Sequence, residues 1–272
     1  MIDSLGDRMK MYEMAEVGRK LLPLVPVMAR IDGRAFSSFT RGMCRPFDSL
    51  LSDGMIETTA YLVEQTGACM GYTQSDEITL AWHSTDLKSQ IWFDGRVQKM
   101  TSQLAALATL KFNKYILEMM PVYAHRDPTF DARVWSVPNR TEGANVFVWR
   151  EWDATKNSIS MAAQEYYSHR ELHGKHGGEM QELLFQKGIN WNDYPAFFKR
   201  GTYVQRRKTV RPFTTTELDL LPPKHEARAN PGLLVERSDV VVLDLPPITT
   251  IKNREAVIFG GEQPSDNGSK DQ

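Results

Sequence analysis

Two short acidic motifs, Arg30-Ile31-Asp32-Gly33-Arg34 and Ser75-Asp76-Glu77, hold the residues of this chain best suited to chemistry. Each follows an apolar run, Pro26 to Ile31 and Ala68 to Thr73, so each carboxylate is expected where a strand ends. Carboxylates converging from neighbouring strands can hold magnesium, which prefers oxygen ligands and takes one or two carboxylates beside water and phosphate. Two such ions activate an attacking hydroxyl and stabilise the leaving oxygen in an in-line displacement at phosphorus. Gly33 leaves its backbone open to a metal or phosphate. Glu77 is either a third acid of the site or a strand residue that alternates outwards and orients its neighbours. Arg96 and Lys99, three apart on a helical stretch, can project towards one site, and Arg34 and Arg45 are further cations for a triphosphate.

The elements that must position these groups can be read from periodicity. Pro26–Ile31 reads as a buried strand ending at Asp32-Gly33. Leu51, Met55, Leu62 and Val63 recur at helical spacing, with Asp48 placed to cap that helix. Two strands flank the polar turn Gln74-Ser75-Asp76, which predicts a hairpin. Val97, Met100, Leu104 and Leu107 mark a second helix running to about Ile116, and Arg133–Val137 a further strand. The order strand, helix, hairpin, helix, strand predicts an α+β, ferredoxin-like antiparallel sheet with helices on one face. In that topology the end of the first strand and the hairpin turn can be neighbours. A long helical pattern follows from Asn145 to about Arg170, then strand and loop beyond Lys199, punctuated by Pro222-Pro223 and Pro246-Pro247. The expected organisation is a catalytic core over 1–140, a region completing it and binding RNA over 141–262, and a disordered polar tail over 263–272.

Composition narrows the class. The 272 residues are 25% charged and 41% hydrophobic, as in ordinary globular proteins. No apolar run approaches the roughly 20 residues that cross a bilayer, and the N-terminus has no signal-peptide pattern. Cys44 and Cys69 form no metal-ligand pair, and the histidines show no such spacing, which points to a reducing, cytoplasmic setting and away from zinc. The net charge of −1 hides a basic run, Lys199, Arg200, Arg206, Arg207, Lys208 and Arg211, with no acidic residue between them. Such a run can track a phosphate backbone or simply line a solvated strand.

Taken in order, several segments resemble the tRNA-His guanylyltransferase family, whose members are 3′–5′ nucleotide polymerases. They are Leu5-Gly6-Asp7-Arg8-Met9-Lys10, Arg30 to Phe36, Phe39-Thr40-Arg41-Gly42, Arg45-Pro46-Phe47-Asp48 and Gly71 to Glu77. Phe130 to Val134, Trp149-Arg150, Asp153 to Ile159, Glu182 to Phe185, Gly188 to Asn192 and Arg200-Gly201-Thr202 follow. The resemblance implies a polymerase-palm core with two magnesium ions. Asp32 and Asp76 would ligate both, the Gly33 backbone would ligate one, and Glu77 would be a supporting acid. Asp32, Gly33, Arg34, Ala35, Phe36 and Ser37, with Ser75 and Asp76, would hold ATP or another nucleoside triphosphate, helped by Arg45, Asp48, Arg96 and Lys99. Arg133, Arg150 and Asn157 would lie near the RNA 5′ end, and Lys199, Arg200, Arg206, Arg207 and Lys208 would add contacts to tRNA. A homotetramer is expected on the same ground.

In that family a 5′-monophosphate is activated by ATP, and the 3′-hydroxyl of an incoming nucleotide then displaces AMP. Departures from the eukaryotic pattern occur at Ser37, at Thr155-Lys156-Asn157-Ser158 and at Met180. They resemble the bacterial and archaeal-type branch, which repairs 5′-truncated tRNAs against a template. The alternatives are a guanylyltransferase dedicated to tRNA-His, a non-catalytic protein binding the tRNA 5′ end, and a nucleotide cyclase on the same palm-like fold.

Overall fold

A computed structural model describes residues 4–265. In chain order the helices and strands are α1 (Leu5–Val17), β1 (Val27–Arg34), α2 (Phe36–Phe39), α3 (Ser49–Thr66), β2 (Met70–Gln74), β3 (Glu77–Trp82), α4 (Val97–Met119) and β4 (Thr129–Ser136). The second half adds α5 (Arg140–Tyr166), α6 (His169–Leu172), α7 (Gly177–Gln186), α8 (Ala196–Arg200), β5 (Thr202–Pro212), α9 (Thr215–Leu220), α10 (Glu226–Ala229), β6 (Leu234–Leu243) and α11 (Arg254–Gly260). Among the described residues no helix is long and apolar enough to cross a membrane.

The strands form one antiparallel sheet in the order β4-β1-β3-β2-β5-β6. Its first four strands have the expected ferredoxin-like arrangement. Local chemistry explains the main helix between them: the Asp48 carboxylate accepts from the Leu51 amide at 3.1 Å and caps α3, which stops at Gly67 with φ 65°.

Helices α3 and α4 of the ferredoxin-like unit lie on one face, as expected, and the second half adds a helical layer on the other. Side chains alternate along β1, so Val27, Ala29 and Ile31 point into a core with Met55, Leu62, Met100, Leu104 and Phe112 of α3 and α4. Met28 points the other way, into a second core with Tyr72, Ala81, Ala144, Phe147 and Tyr203, closed by Ile248, Ile251, Val257 and Ile258. The periodicity of α5 showed a helix, but nothing local specified which layer it would cover. A smaller cluster (Ala162, Ala163, Leu172 and Leu184) holds α6 and α7 against the far end of α5.

The second half therefore supplies two strands of the sheet and one of its two helical layers. Of the expected disordered tail, residues 266–272 lie outside the described residues. Gln263 and Ser265 are held instead: the Asn253 side-chain amide donates to the Gln263 carbonyl at 2.9 Å, and the Ser265 amide donates to the Asn253 side chain at 2.8 Å.

Candidate active site

The two acidic motifs meet where β1 ends. Asp32 lies directly opposite Glu77 on β3, and the next rung is made by the Gly33 amide donating to the Asp76 carbonyl at 3.0 Å. That bond fastens the Ser75-Asp76 turn, in which Ser75 has φ 50°, beside the end of β1. Burial pushes the Asp76 carboxyl above the ordinary carboxylate range, and the Asp32 charge pushes the same way. Neither carboxylate has a cationic partner among the described residues.

The segment after Asp32 turns sharply. A Cβ on Gly33 would lie 2.3 Å from the Phe36 ring, which is packed among Phe39, Phe112 and Phe130, so only glycine fits there. Ala35 follows with φ 55°, and Arg34, Ala35 and Ser37 are exposed. Arg34 and Ala35 line a cavity of about 590 Å³ together with Ser38, Arg41 and Arg126.

Glu77 is held away from this opening. It is buried, and its carboxylate accepts a two-pronged pair from Arg150, Nε at 2.6 Å and Nη2 at 2.9 Å. Burial raises its pKa, and the charges of Arg150 and Arg30 pull it back. Arg150 also donates to Asp153 at 3.0 Å, while the Arg30 Nε sits 3.6 Å from Glu77 and is buried without a hydrogen-bond partner. Glu77 therefore does not alternate outwards, and its carboxylate is taken up by arginine.

The remaining predicted residues are dispersed. Arg150 is only 4% exposed, so it braces Glu77 from within instead of facing RNA. Asp48 is occupied as the α3 cap and also accepts from the Cys44 amide at 3.2 Å. Arg45 is exposed. Arg96 and Lys99 line a different cavity, about 440 Å³, with Glu13, Val17 and Lys20. The Arg96 Nε donates to the Phe93 carbonyl at 3.3 Å, and Lys99 lies over the Phe93 ring at 4.8 Å. Arg133 and Asn157 are exposed, Arg133 3.6 Å from Asp131.

The basic run is less basic in space than in sequence, because β6 brings acids to it. Lys208 pairs with Glu236 at 2.8 Å, and Arg211 with Glu217 and Asp239, each at 2.8 Å. Arg206 and Arg207 donate to backbone carbonyls of Glu64 and Glu262, and Lys199 to that of Asn192. Arg200 lies at the end of α8, where its carbonyl accepts from the Tyr72 hydroxyl at 2.8 Å.

Some residues escaped the sequence reading. Asp131 is directly opposite Asp32 on β4, making a carboxylate row Asp131–Asp32–Glu77 across three strands. Its alternation with Arg133 was the available signal. Arg30 and Asp153 complete the brace around Arg150. Cys44 is exposed.

Residues 6–138 match the sequence profile described as Thg1, tRNAHis guanylyltransferase. A bacterial tRNA(His) guanylyltransferase (Thg1)-like protein solved with ATP is 42% identical, covering 75% of this chain and 87% of its own, with a TM-score of 0.70. The chain belongs to the tRNAHis guanylyltransferase family. A bacterial Thg1-like protein solved with GTP is 36% identical over 94% of this chain and 97% of its own, with a TM-score of 0.71. The tRNA(His) guanylyltransferase of Schizosaccharomyces pombe is 28% identical, covering 74% of this chain and 80% of its own. As a member of the family the chain is a nucleotidyltransferase.

The donor set agrees with a magnesium centre. Among the described residues no group of three or more His, Cys, Asp and Glu could hold a metal, which argues against a cage built wholly from side chains. Two half-buried carboxylates side by side, both without a cation among the described residues, suit an ion that takes its other ligands from water and phosphate.

Proposed function

We propose that this chain is a template-dependent 3′–5′ nucleotidyltransferase that extends the 5′ end of tRNA, repairing ends that lack a nucleotide. The observation that carries the reading is the convergence of Asp32 and Asp76, locked by the Gly33–Asp76 backbone bond at 3.0 Å beside an open, arginine-lined cavity. The bacterial Thg1-like proteins are 42% and 36% identical to this chain, against 28% for the Schizosaccharomyces pombe enzyme, which supports repair over guanosine addition to tRNA-His alone.

Asp32, Asp76 and the Gly33 backbone would hold two Mg²⁺ ions. When bound, these ions would activate the attacking hydroxyl and offset charge on the leaving group. The chain's own residues do the positioning. Arg34, Ala35 and Ser37 border the nucleotide phosphates with Ser75, and Arg34 can clamp phosphate oxygens through two nitrogens. Arg150 holds Glu77 in place, which fixes the start of β3 and so the turn that carries Asp76. Activation of a 5′-monophosphate by ATP and attack by the incoming 3′-hydroxyl are both displacements at phosphorus, so one carboxylate pair serves both steps.

The working form we propose is a cytoplasmic homotetramer. No residue of α1 is buried, and Leu5, Met9, Met11, Tyr12 and Met14 on it are exposed, which leaves an apolar surface for such an assembly to cover. Light scattering should return a mass near four chains of 31.0 kDa.

The functional test uses 5′-monophosphorylated tRNAs lacking one 5′ nucleotide, beside full-length tRNA-His, with magnesium, ATP and labelled nucleotides. Incorporation that follows the Watson–Crick partner of each template base supports repair. Guanosine addition to tRNA-His alone would replace it with the dedicated guanylyltransferase. Binding without incorporation would leave a protein that only senses the end.

A further inference from the structure

Two tryptophans of α5 stand in solvent beside the carboxylate row and have no part in the chemistry above. Trp149 is 49% exposed and Trp152 63% exposed, which is unusual for the largest apolar side chain. They are three residues apart, so they adjoin on one helix face, and exposed Lys156 continues that face one turn on.

Trp149 is tied to the site by measurable contacts. The Arg150 guanidinium lies 4.5 Å from the centre of its ring and that of Arg30 at 6.0 Å. Both cations reach the same Glu77 carboxylate, at 2.6 Å and 3.6 Å, while the indole itself stays half exposed. Arg30 is also two residues before Asp32 on the same face of β1, and directly opposite the exposed Arg133 of β4. An aromatic surface, set beside buried Arg150 and half-buried Arg30 and flanked by exposed Arg133 and Lys156, thus lies near Asp32.

We propose that Trp149 and Trp152 form a stacking platform for the unpaired nucleobases of the RNA end being extended. The chemistry fits that occupant more closely than a protein face. Flat indoles stack on any base, and flanking cations meet the phosphates that connect successive bases. Sequence-tolerant stacking also suits an enzyme whose choice of nucleotide comes from a template. Trp149 acts here as a binding residue, and Arg150 and Arg30 hold its ring in place. The proposal rests on the tRNA-extending function above.

The test measures tRNA affinity across a salt series, and KM for tRNA and for nucleotide separately, using tRNA lacking one 5′ nucleotide. Trp149→Ala and Trp152→Ala should each weaken tRNA binding roughly tenfold, within the range seen for losing one base–aromatic stack. The salt slope should not change, because no phosphate contact is lost. Trp149→Phe should restore most of the affinity, and replacing the unpaired bases opposite the gap with abasic sites should erase the difference between wild type and Trp149→Ala. Trp152, which touches neither arginine, guards against an effect transmitted only through the Glu77 brace. Unchanged tRNA affinity in both alanine variants would overturn the platform while leaving the extending activity intact. A rise in KM for nucleotide with tRNA affinity unchanged would also overturn it, since the rings would then serve the incoming base. Wild-type protein that neither binds nor extends tRNA would instead remove the underlying function.

Discussion

At the scale of single residues, Asp76 shows a conflict between stability and chemistry. Its carboxyl is half-buried and desolvated beside Asp32, with no cation among the described residues to offset either charge, so its ionised form is disfavoured by folding. Asp76→Asn keeps the shape and removes the charge. In magnesium-free solution at neutral pH it should raise the urea midpoint above that of wild type. Turnover should fall on the order of 10²–10³-fold or more, as when one stabilising group of a transition state is lost elsewhere. Magnesium should raise the midpoint of the wild type and leave the variant unmoved. A variant that responds to magnesium as the wild type does would mean that Asp76 is not a ligand. The brace beneath it predicts the opposite sign. Arg150→Met strands the buried Glu77 carboxylate, at about 3–5 kcal/mol for a broken buried pair. Glu77→Gln with Arg150→Met should recover part of that loss, because the buried carboxylate goes with its guanidinium, although Arg30 then loses the carboxylate 3.6 Å from its Nε. A double-mutant cycle by chemical denaturation measures the coupling, and additive losses would show that the pair is not a unit.

At the scale of elements, the order strand, helix, hairpin, helix, strand was legible because each piece announces itself within a few residues. Asp48 marks the start of α3, the polar turn marks the hairpin, and Val97 to Leu107 carry the helical period of α4. Asp32 and Asp76 were legible for the same reason, since the topology alone makes them neighbours. The roles of Glu77 and Arg150 were not, because they depend on a contact across 73 residues that no local pattern encodes. The pairing of Lys208 and Arg211 with acids was not legible for a related reason: Glu236 and Asp239 arrive on β6 through strand pairing.

That pairing has its own consequence at low pH. Hydrogen bonds from Arg211 and Thr209 hold the Asp239 carboxyl down at about 2, and those from Arg211 and Thr214 depress Glu217 further. A carboxyl whose folded pKa is lowered stabilises the fold above its unfolded pKa, about 3.9 for Asp, and that stabilisation is lost as pH falls through the folded value. The outer end of the β5–β6 ribbon should therefore loosen between about pH 4 and pH 2. Hydrogen exchange at Thr209 to Arg211 and Leu234 to Arg237 would record it. Arg211→Ala should give the loosened ribbon already at pH 7, and equal protection in variant and wild type would discount the cluster.

At the scale of the whole molecule, residues 141–262 are expected to complete the core over 1–140 as one folding unit, with no folding boundary at residue 140. Residues 1–140 contain β1 to β4 with α3 and α4, a complete ferredoxin-like unit by topology. By packing the unit is half covered. Met28, Met70, Tyr72 and Ala81 face away from α3 and α4, and apart from the partly buried Trp135 and Val137 the groups of that core come later: Ala144, Phe147 and Val148 of α5, Tyr203 of β5, then Ile248, Ile251, Val257 and Ile258. Those last four are each at most 1% exposed, and full burial of one such side chain is worth about 1.5–3 kcal/mol. Their sum is comparable with the entire net stability of a typical domain, about 5–15 kcal/mol. A chain ending at residue 247 should therefore fail to hold the native sheet at 25 °C, and residues 1–140 alone should aggregate through the uncovered face. The full chain should unfold in one step, with tryptophan fluorescence and far-ultraviolet circular dichroism tracing the same urea curve. Two separated transitions, with fragment 1–140 reproducing one of them, would establish such a boundary. The single transition is expected because Asp32 is aligned by a strand whose two faces belong to different halves of the chain, so the carboxylate pair forms only when both halves have folded.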